Sequence, residues 1–220
     1  MSINYHAFQS RGVPFDEYEV VSKQWRERFT GYNAQRICRI LHLESDAEYL
    51  YIPYLSVLYR LKLKDGHLEK RLASDWCGSL DFNESMAIYH LLYHTADVPT
   101  VSGKWVPHYA IDGVVSRSGR TADPLVESFC RKWSGRGAEL AKACERAGGK
   151  ALDSNEHKGD IGFQFEVLPC VGMRLIFWDA DDDFSAQVQI LLDQKVLDFV
   201  HYETTGCMIS DLFEKICSAV

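Results

Sequence analysis

Two histidines four residues apart form the pattern in this chain with the clearest chemical potential. His90 and His94 lie within residues 82–96, where apolar side chains recur at helical spacing. Side chains four positions apart stack on one face of an α-helix, so both imidazoles can reach the same metal ion. A zinc protease would need glutamate directly after the first histidine, and Leu91 stands there instead. The spacing predicts a pair of metal ligands without protease chemistry.

The candidate site extends around this pair. Tyr89 and Tyr93 share the helical face of the histidines, which makes them candidate ligand-binding residues. The spacing does not choose a third metal ligand among the candidates, which are Cys77, Asp97, His108 and the acidic run 179–183. The alternative is a structural role for these residues, in which they form a polar and aromatic layer packed under a sheet and the histidines are hydrogen-bonded or exposed.

A long segment without regular periodicity follows this helix. Residues 98–124 are punctuated by proline and glycine, and loops of this length in compact domains are often functional. Trp105 is an apolar anchor, and Arg117 and Arg120 flank a Ser-Gly step that could receive a carboxylate or phosphate. The segment lacks a P-loop pattern, so it gives little support to nucleotide binding. A solvated turn is the alternative interpretation.

A run of acids at residues 179–183 resembles the start of a calcium-binding loop. The match fails because Phe184 stands where the sharp turn needs glycine, and Ile190 stands where the bidentate glutamate belongs. Clustered carboxylates could hold a divalent cation in another geometry. The simpler interpretation is the charged, solvated end of a β-hairpin.

Periodicity predicts the elements that position these residues. Helical spacing predicts further helices at about residues 15–30, 33–41, 124–147 and 205–217. Residues 48–72 are rich in aromatic and branched side chains and predict strands with a hairpin turn at residues 64–66. Apolar alternation and short loops predict a three-stranded antiparallel meander, with strands beginning at Ile161, Met173 and Ala186.

Composition limits the classes of protein that remain. The chain has 220 residues, 46% of them hydrophobic, and we expect residues 1–220 to form a single globular domain. No apolar run is long enough to cross a membrane, and the formal net charge of −7 disfavours nucleic-acid binding. The seven cysteines are scattered without C-x-x-C spacing, so we expect reduced thiols and a cytoplasmic protein.

Scattered short motifs between about residues 30 and 216 form a distinctive combination. They are Tyr93, Gly103-Lys104-Trp105-Val106, Gly148-Gly149, Gly159-Asp160, Leu168-Pro169, Trp178 before Asp182-Asp183-Phe184, and Leu191-Leu192-Asp193. In these motifs the chain resembles a family catalogued as a domain of unknown function in anaerobic bacteria and archaea. Some members are fused to, or encoded near, iron–sulfur and corrinoid proteins. The resemblance supplies no catalytic residues, and this chain lacks the cysteine-rich iron–sulfur module of the fused members.

We therefore expect an α+β fold with largely antiparallel sheet, helices packed on it, and a C-terminal meander followed by a helix. The first functional hypothesis is an accessory module that grips a small anionic or metal-bearing cofactor. The resemblance suggests a tetrapyrrole-like ligand, with the histidines on its metal and Arg117 or Arg120 on its carboxylates. Two alternatives are a metal-dependent hydrolase, with Asp97 or Asp182 as general base, and a structural subunit that docks a protein partner through residues 98–124.

Overall fold

The computed structural model describes residues 16–29, 34–78, 80–112 and 123–219, and the account of the fold covers these residues. Within them the helices are α1 (Asp16–Phe29), α2 (Ala34–Leu41), α3 (Phe82–His94), α4 (Pro124–Trp133), α5 (Gly137–Arg146) and α6 (Tyr202–Ser218). The strands form two separate antiparallel sheets, so the predicted α+β class is confirmed. No described helix combines the length and the apolar character needed to cross a membrane.

The first sheet is a four-stranded antiparallel meander. Its strands lie in chain order and are β1 (Tyr49–Tyr54), β2 (Val57–Lys62), β3 (Leu68–Leu72) and β4 (Asp75–Cys77). The predicted turn between β2 and β3 is confirmed. Gly66 has φ +70° there, and a Cβ at this position would come within 2.9 Å of the carbonyl oxygen of Arg26, so only glycine fits.

The second sheet contains the predicted meander and two further strands. Its strand order is β5-β9-β8-β7-β6, from β5 (Trp105–Pro107), β6 (Lys150–Ala151), β7 (Ile161–Leu168), β8 (Val171–Trp178) and β9 (Gln187–Asp193). The three central strands pair in antiparallel register as expected. β5 corrects the expectation of a wholly irregular segment at 98–124, because Trp105 pairs with Asp193 at the sheet edge. Pro107 is tolerated there because an edge strand has one unpaired side.

The helix expected at 124–147 is two helices. Gly135 has φ +71° and interrupts the chain between α4 and α5. The carboxylate of Asp179 accepts hydrogen bonds from the backbone N–H groups of Gly135 at 2.6 Å and Gly137 at 3.1 Å. An acid of the 179–183 run therefore caps the start of α5, where the helix dipole favours negative charge.

A continuous cluster of buried apolar side chains joins both sheets and the helices. α3 packs against α6, and α1 packs against α3. The two sheets meet where the N–H of Leu55, in the turn after β1, donates to the carbonyl of Val167 on β7 at 2.8 Å. The assignment of residues 1–220 to one domain stays a prediction.

Candidate functional site

The paired helices α3 and α6 run in opposite directions and form a polar site at each end. The last turn of α3 contacts the first turn of α6, because His90 contacts both His201 and Thr204. The first turn of α3 contacts the middle of α6, because Asn83 donates to Asp211 at 3.0 Å. Asp81 and Glu84 form a reciprocal capping box that fixes where α3 begins.

At the first end, the predicted histidines meet a third one. The ring centroids of His90 and His94 are 5.3 Å apart, and His201 lies 6.0 Å from His90 and 5.4 Å from His94. We call these three residues the histidine cluster. Trp25 of α1 covers the cluster, with its ring centroid 4.5 Å from that of His90. His90 and His94 therefore do share a helix face.

The hydrogen bonds of the cluster leave one buried nitrogen unsatisfied. Nδ1 of His90 pairs with the hydroxyl of the buried Thr204, whereas Nε2 is buried and has no hydrogen-bond partner in the described part of the chain. His201 is exposed and caps α6, accepting from the N–H of Glu203. Burial, followed by the neighbouring His94 and His201, lowers the pKa of His90 to about 3. Burial and His201 also lower the pKa of His94.

A complete set of metal ligands is not assembled here. Among the described residues, no group of three or more His, Cys, Asp or Glu side chains is arranged to hold a metal ion. Two of the candidate third ligands have other partners: Asp97 pairs with Arg36 at 2.6 Å, and His108 stacks on Tyr202 and bonds the hydroxyl of Thr205 at 2.6 Å. Metal ligation by His90 and His94 stays a prediction.

The other residues of the predicted site are scattered. Tyr89 is buried and donates to the carbonyl of Gly66 at 2.8 Å, and burial raises its pKa to about 12. Tyr93 is half-exposed beside Trp25, and Trp105 lies on β5 under the guanidinium of Arg174. The cavity between Trp25 and the two tyrosines has a volume of only about 10 Å³. Arg117 and Arg120 lie outside the described residues.

At the other end of the helix pair lies a larger polar cavity, with a volume of about 350 Å³. Four elements meet around it: the β1–β2 hairpin, β3, the start of α3, and α6. The residues that line this polar cavity are Tyr54, Leu55, Val57, Tyr59, Lys70, Asp81, Glu84, Asp211, Glu214 and Lys215. Its volume falls within the range of small-molecule sites in proteins.

Hydrogen bonds join the walls of the polar cavity in two groups. The buried carboxylate of Asp211 accepts from the hydroxyl of Tyr54 at 2.6 Å and from Asn83 at 3.0 Å. The carboxylate of Glu84 accepts from the hydroxyl of Tyr59 at 2.9 Å and pairs with the ammonium group of Lys70 at 3.0 Å. Burial, followed by the adjacent carboxylates, raises the pKa of both tyrosines well above its usual range, so both remain protonated.

Lys215 differs from Lys70, the other lysine of the cavity, which pairs with Glu84. Its ammonium group donates to the carbonyl of Leu55, and within the described residues it has no ion pair with a carboxylate. Burial lowers its pKa. The carbonyl belongs to a strained turn, because Leu55 and Ser56 both have positive φ, at 46° and 62°, although neither is glycine. Backbone strain of this kind is frequent at functional sites.

The polar cavity was not anticipated from the sequence, and neither was His201. Asp211 is 8% exposed, but it lies on the side of the predicted helix opposite the apolar stripe of Ile209, Leu212, Phe213 and Ile216, so the helical pattern did not indicate its burial. The cavity itself joins residues that are up to 161 positions apart, from Tyr54 to Lys215, and no local pattern connects them. His201 lies outside the helix predicted at about residues 205–217, and its place as the N-cap of α6 is evident only in the structure.

The chain matches one family model across most of its length. That model, described as a domain of unknown function (DUF3786), covers residues 33–213 and includes the residues of both the histidine cluster and most of the polar cavity. No curated protein and no solved structure matches the chain. The match therefore supports the sequence resemblance and supplies no activity.

Proposed function

We propose that this chain, which belongs to the DUF3786 family, binds a small, neutral, polyhydroxylated molecule in the polar cavity. The observation that carries the proposal is the convergence of two lysines, two tyrosines and four carboxylates around about 350 Å³ of space. Convergent polar groups in a cavity of this size are the usual mark of a ligand site.

The carboxylates of the lining disfavour an anionic ligand, and the ammonium group of Lys215, which has no carboxylate partner among the described residues, disfavours a cation beside it. Two lysines against four carboxylates give a formal charge of −2 for the lining. Lys70 and Glu84 already neutralise each other at 3.0 Å. A ligand with a negative charge would face the remaining carboxylates, and each unit charge costs about 1 kcal/mol near solvent, or roughly fivefold in affinity. The small anionic ligand expected from the sequence depended on Arg117 and Arg120, which are not among the described residues.

The hydrogen-bonding groups of the cavity favour hydroxyl groups on that ligand. A hydroxyl donates one hydrogen bond and accepts others, so it suits a wall that alternates ammonium donors with carboxylate acceptors. Lys215 has two N–H donors beyond the one directed to Leu55. Glu84 and the tyrosine hydroxyls retain lone pairs that can accept from a ligand.

A matched set of three-carbon probes tests this proposal by ligand-observed NMR. Glycerol and dihydroxyacetone are neutral, glycerate is an anion, and 2-amino-1,3-propanediol is a cation of the same size. We expect saturation transfer to the two neutral probes, and weaker transfer to glycerate by roughly fivefold. Transfer to neither neutral probe, or stronger transfer to either charged probe, would contradict the proposal.

Substitutions localise the binding. Glu214→Gln and Lys215→Met change cavity residues and should weaken glycerol binding, because each removes a polar group of the lining. Glu166→Gln and Lys142→Met are the matched controls, since both residues are exposed on other elements. If a cavity variant and its control lose glycerol binding equally, glycerol binds outside the polar cavity.

We also propose, as a second candidate, that His90 and His94 bind a transition metal or a metal-bearing cofactor of a tetrapyrrole-like class. Two observations support it: Nε2 of His90 is buried without a hydrogen-bond partner in the described part of the chain, and imidazoles with lowered pKa are neutral. Titration with Co²⁺, followed by visible absorption, should give a signal that His94→Ala removes. An unchanged spectrum would rule out the metal site and the hydrolase alternative that depends on it.

The partner-docking alternative involves residues 98–124, of which 113–122 are not described.

A further inference from the structure

We propose that Lys215 forms a reversible imine with the carbonyl carbon of an aldehyde or ketone ligand in the polar cavity. The inference rests on the proposed function and narrows its substrate class to small hydroxycarbonyl compounds. Its basis is the position of Lys215, whose amine lines the polar cavity and has no carboxylate partner among the described residues.

The two lysines of the cavity have different surroundings. The ammonium group of Lys70 contacts both oxygens of Glu84 at 3.0 Å, so its charge is stabilised and its lone pair is unavailable. Lys215 has only the backbone carbonyl of Leu55 as a described partner, although four carboxylates line the same cavity. A carbonyl is a neutral acceptor, so it positions the amine without stabilising its charge as strongly as a carboxylate would.

The walls around Lys215 suit such an amine. Lys215 is half-buried on α6, which fixes its backbone, while the strained Leu55–Ser56 turn holds the acceptor at the cavity rim. Lysines in protein cavities become nucleophiles when desolvation favours the neutral amine. The lowered pKa of Lys215, caused by burial, agrees with this environment.

The covalent step balances without an oxidant or a metal. The lone pair of neutral Nζ attacks the carbonyl carbon, the C=O π pair moves to oxygen, and a proton passes from nitrogen to oxygen to give a carbinolamine. The hydroxyl then leaves as water after taking a second proton, while the second N–H proton is released as the C=N bond forms. The net change is amine plus carbonyl giving imine plus water.

Reductive trapping tests the inference on the full-length chain. Dihydroxyacetone with cyanoborohydride at pH 7 converts an imine to a stable amine, and peptide mass spectrometry identifies each modified lysine. We expect Lys215 to be modified about fivefold faster than exposed lysines such as Lys142. Excess glycerol, which has no carbonyl, should slow modification at Lys215 only. A rate at Lys215 equal to or below that at Lys142 overturns the inference.

Variants separate this inference from the proposed function. Lys215→Arg keeps a cationic donor but cannot form an imine under these conditions, and Lys215→Gln keeps a smaller neutral donor. Fast modification of Lys215 in the wild type, together with glycerol binding by the wild type, supports both proposals; either folded variant should lose the fast modification and leave the rate at Lys142 unchanged. Glycerol binding by the wild type without fast modification of Lys215 refutes the imine and retains the ligand site. If the wild type does not bind glycerol, both proposals are refuted.

Discussion

The two ends of the α3–α6 pair differ in how they stabilise buried polar groups. In the polar cavity, the carboxylate of Asp211 accepts from Tyr54, and that of Glu84 accepts from Tyr59 and pairs with Lys70, so these carboxylates are buried together with their partners. In the histidine cluster, imidazoles of lowered pKa face one another and one buried nitrogen has no described partner. Burial therefore neutralises the groups at one end and pairs them at the other, as the cost of isolated buried charge requires.

This contrast predicts that a different end of the helix pair limits the stability of the fold at acid pH than at neutral pH. At pH 7 the cavity carboxylates should contribute most to stability, because their partners are buried with them. As the pH falls, the histidine cluster should become the destabilising region, because the unfolded chain binds protons that the folded cluster excludes.

The largest effect is expected for Asp211→Asn. The amide would place an N–H₂ group against Tyr54 or Asn83, which both donate to the native carboxylate at 2.6 and 3.0 Å. We expect a loss of about 2–3 kcal/mol in the free energy of unfolding at pH 7, measured by urea denaturation. Asp182→Asn, in the exposed hairpin loop, is the control and should leave stability unchanged. Equal stability of the two variants would show that the Asp211 network contributes little.

The next largest effect is expected in the pH dependence of the free energy of unfolding. The folded-state pKa of His90 is about 3, below the ordinary value of 6.5 that applies to the unfolded chain. The stability that the neutral His90 contributes to the folded state is present in full above pH 6.5. It is lost as the pH falls from there toward 3, because the unfolded chain takes up the proton first. Between pH 7 and 5 this amounts to about 2 kcal/mol.

His90→Asn should reduce that acid sensitivity, because asparagine can still bond Thr204 but does not take up a proton. The measurement is urea unfolding at a series of pH values. His42→Asn is the matched control, since His42 is exposed and asparagine tolerates its φ of 53°. The same pH slope in wild type and His90→Asn would mean that His90 is already free to protonate in the folded state.

A smaller effect is expected for Glu84→Gln. Glutamine has one acceptor oxygen, so it keeps either the capping-box bond from the Asp81 N–H or the bond from the Tyr59 hydroxyl, and it loses the ion pair with Lys70. We expect a loss of about 1.5 kcal/mol, since the two side chains are only about one-fifth exposed. Glu139→Gln removes the exposed pair with Arg136 and should have no measurable effect in the same urea titration. A larger loss for Glu139→Gln would reverse this ranking.

The sequence predicted what local periodicity encodes. The meander at Ile161–Leu168 and its neighbours, and the shared face of His90 and His94, follow from repeats of two and of nearly four residues. The division between α4 and α5 was missed because the helical pattern continues across Gly135, whose positive φ breaks it. β5 and β6 have three and two residues and depend on pairing with β9 and β7, which is a long-range interaction.

The polar cavity lay beyond such patterns for a physical reason. Tyr54, Glu84 and Asp211 each lie in an ordinary strand or helix, and their hydrogen bonds arise only when the β1–β2 hairpin packs against α3 and α6. Asp211 lies on the side of α6 opposite its apolar stripe, where a carboxylate is normally solvent-exposed, so helical periodicity indicates neither its burial nor its partners.

The most direct test of the ligand site is a methyl NMR titration of the wild-type chain with glycerol. Leu55 and Val57 line the polar cavity, whereas Leu140 lies in the core on α5. We predict saturable chemical-shift changes at the Leu55 and Val57 methyl groups and none at Leu140. Saturable changes confined to methyl groups away from the cavity, or no saturable change at any methyl group, would contradict the assignment of this cavity as the binding site.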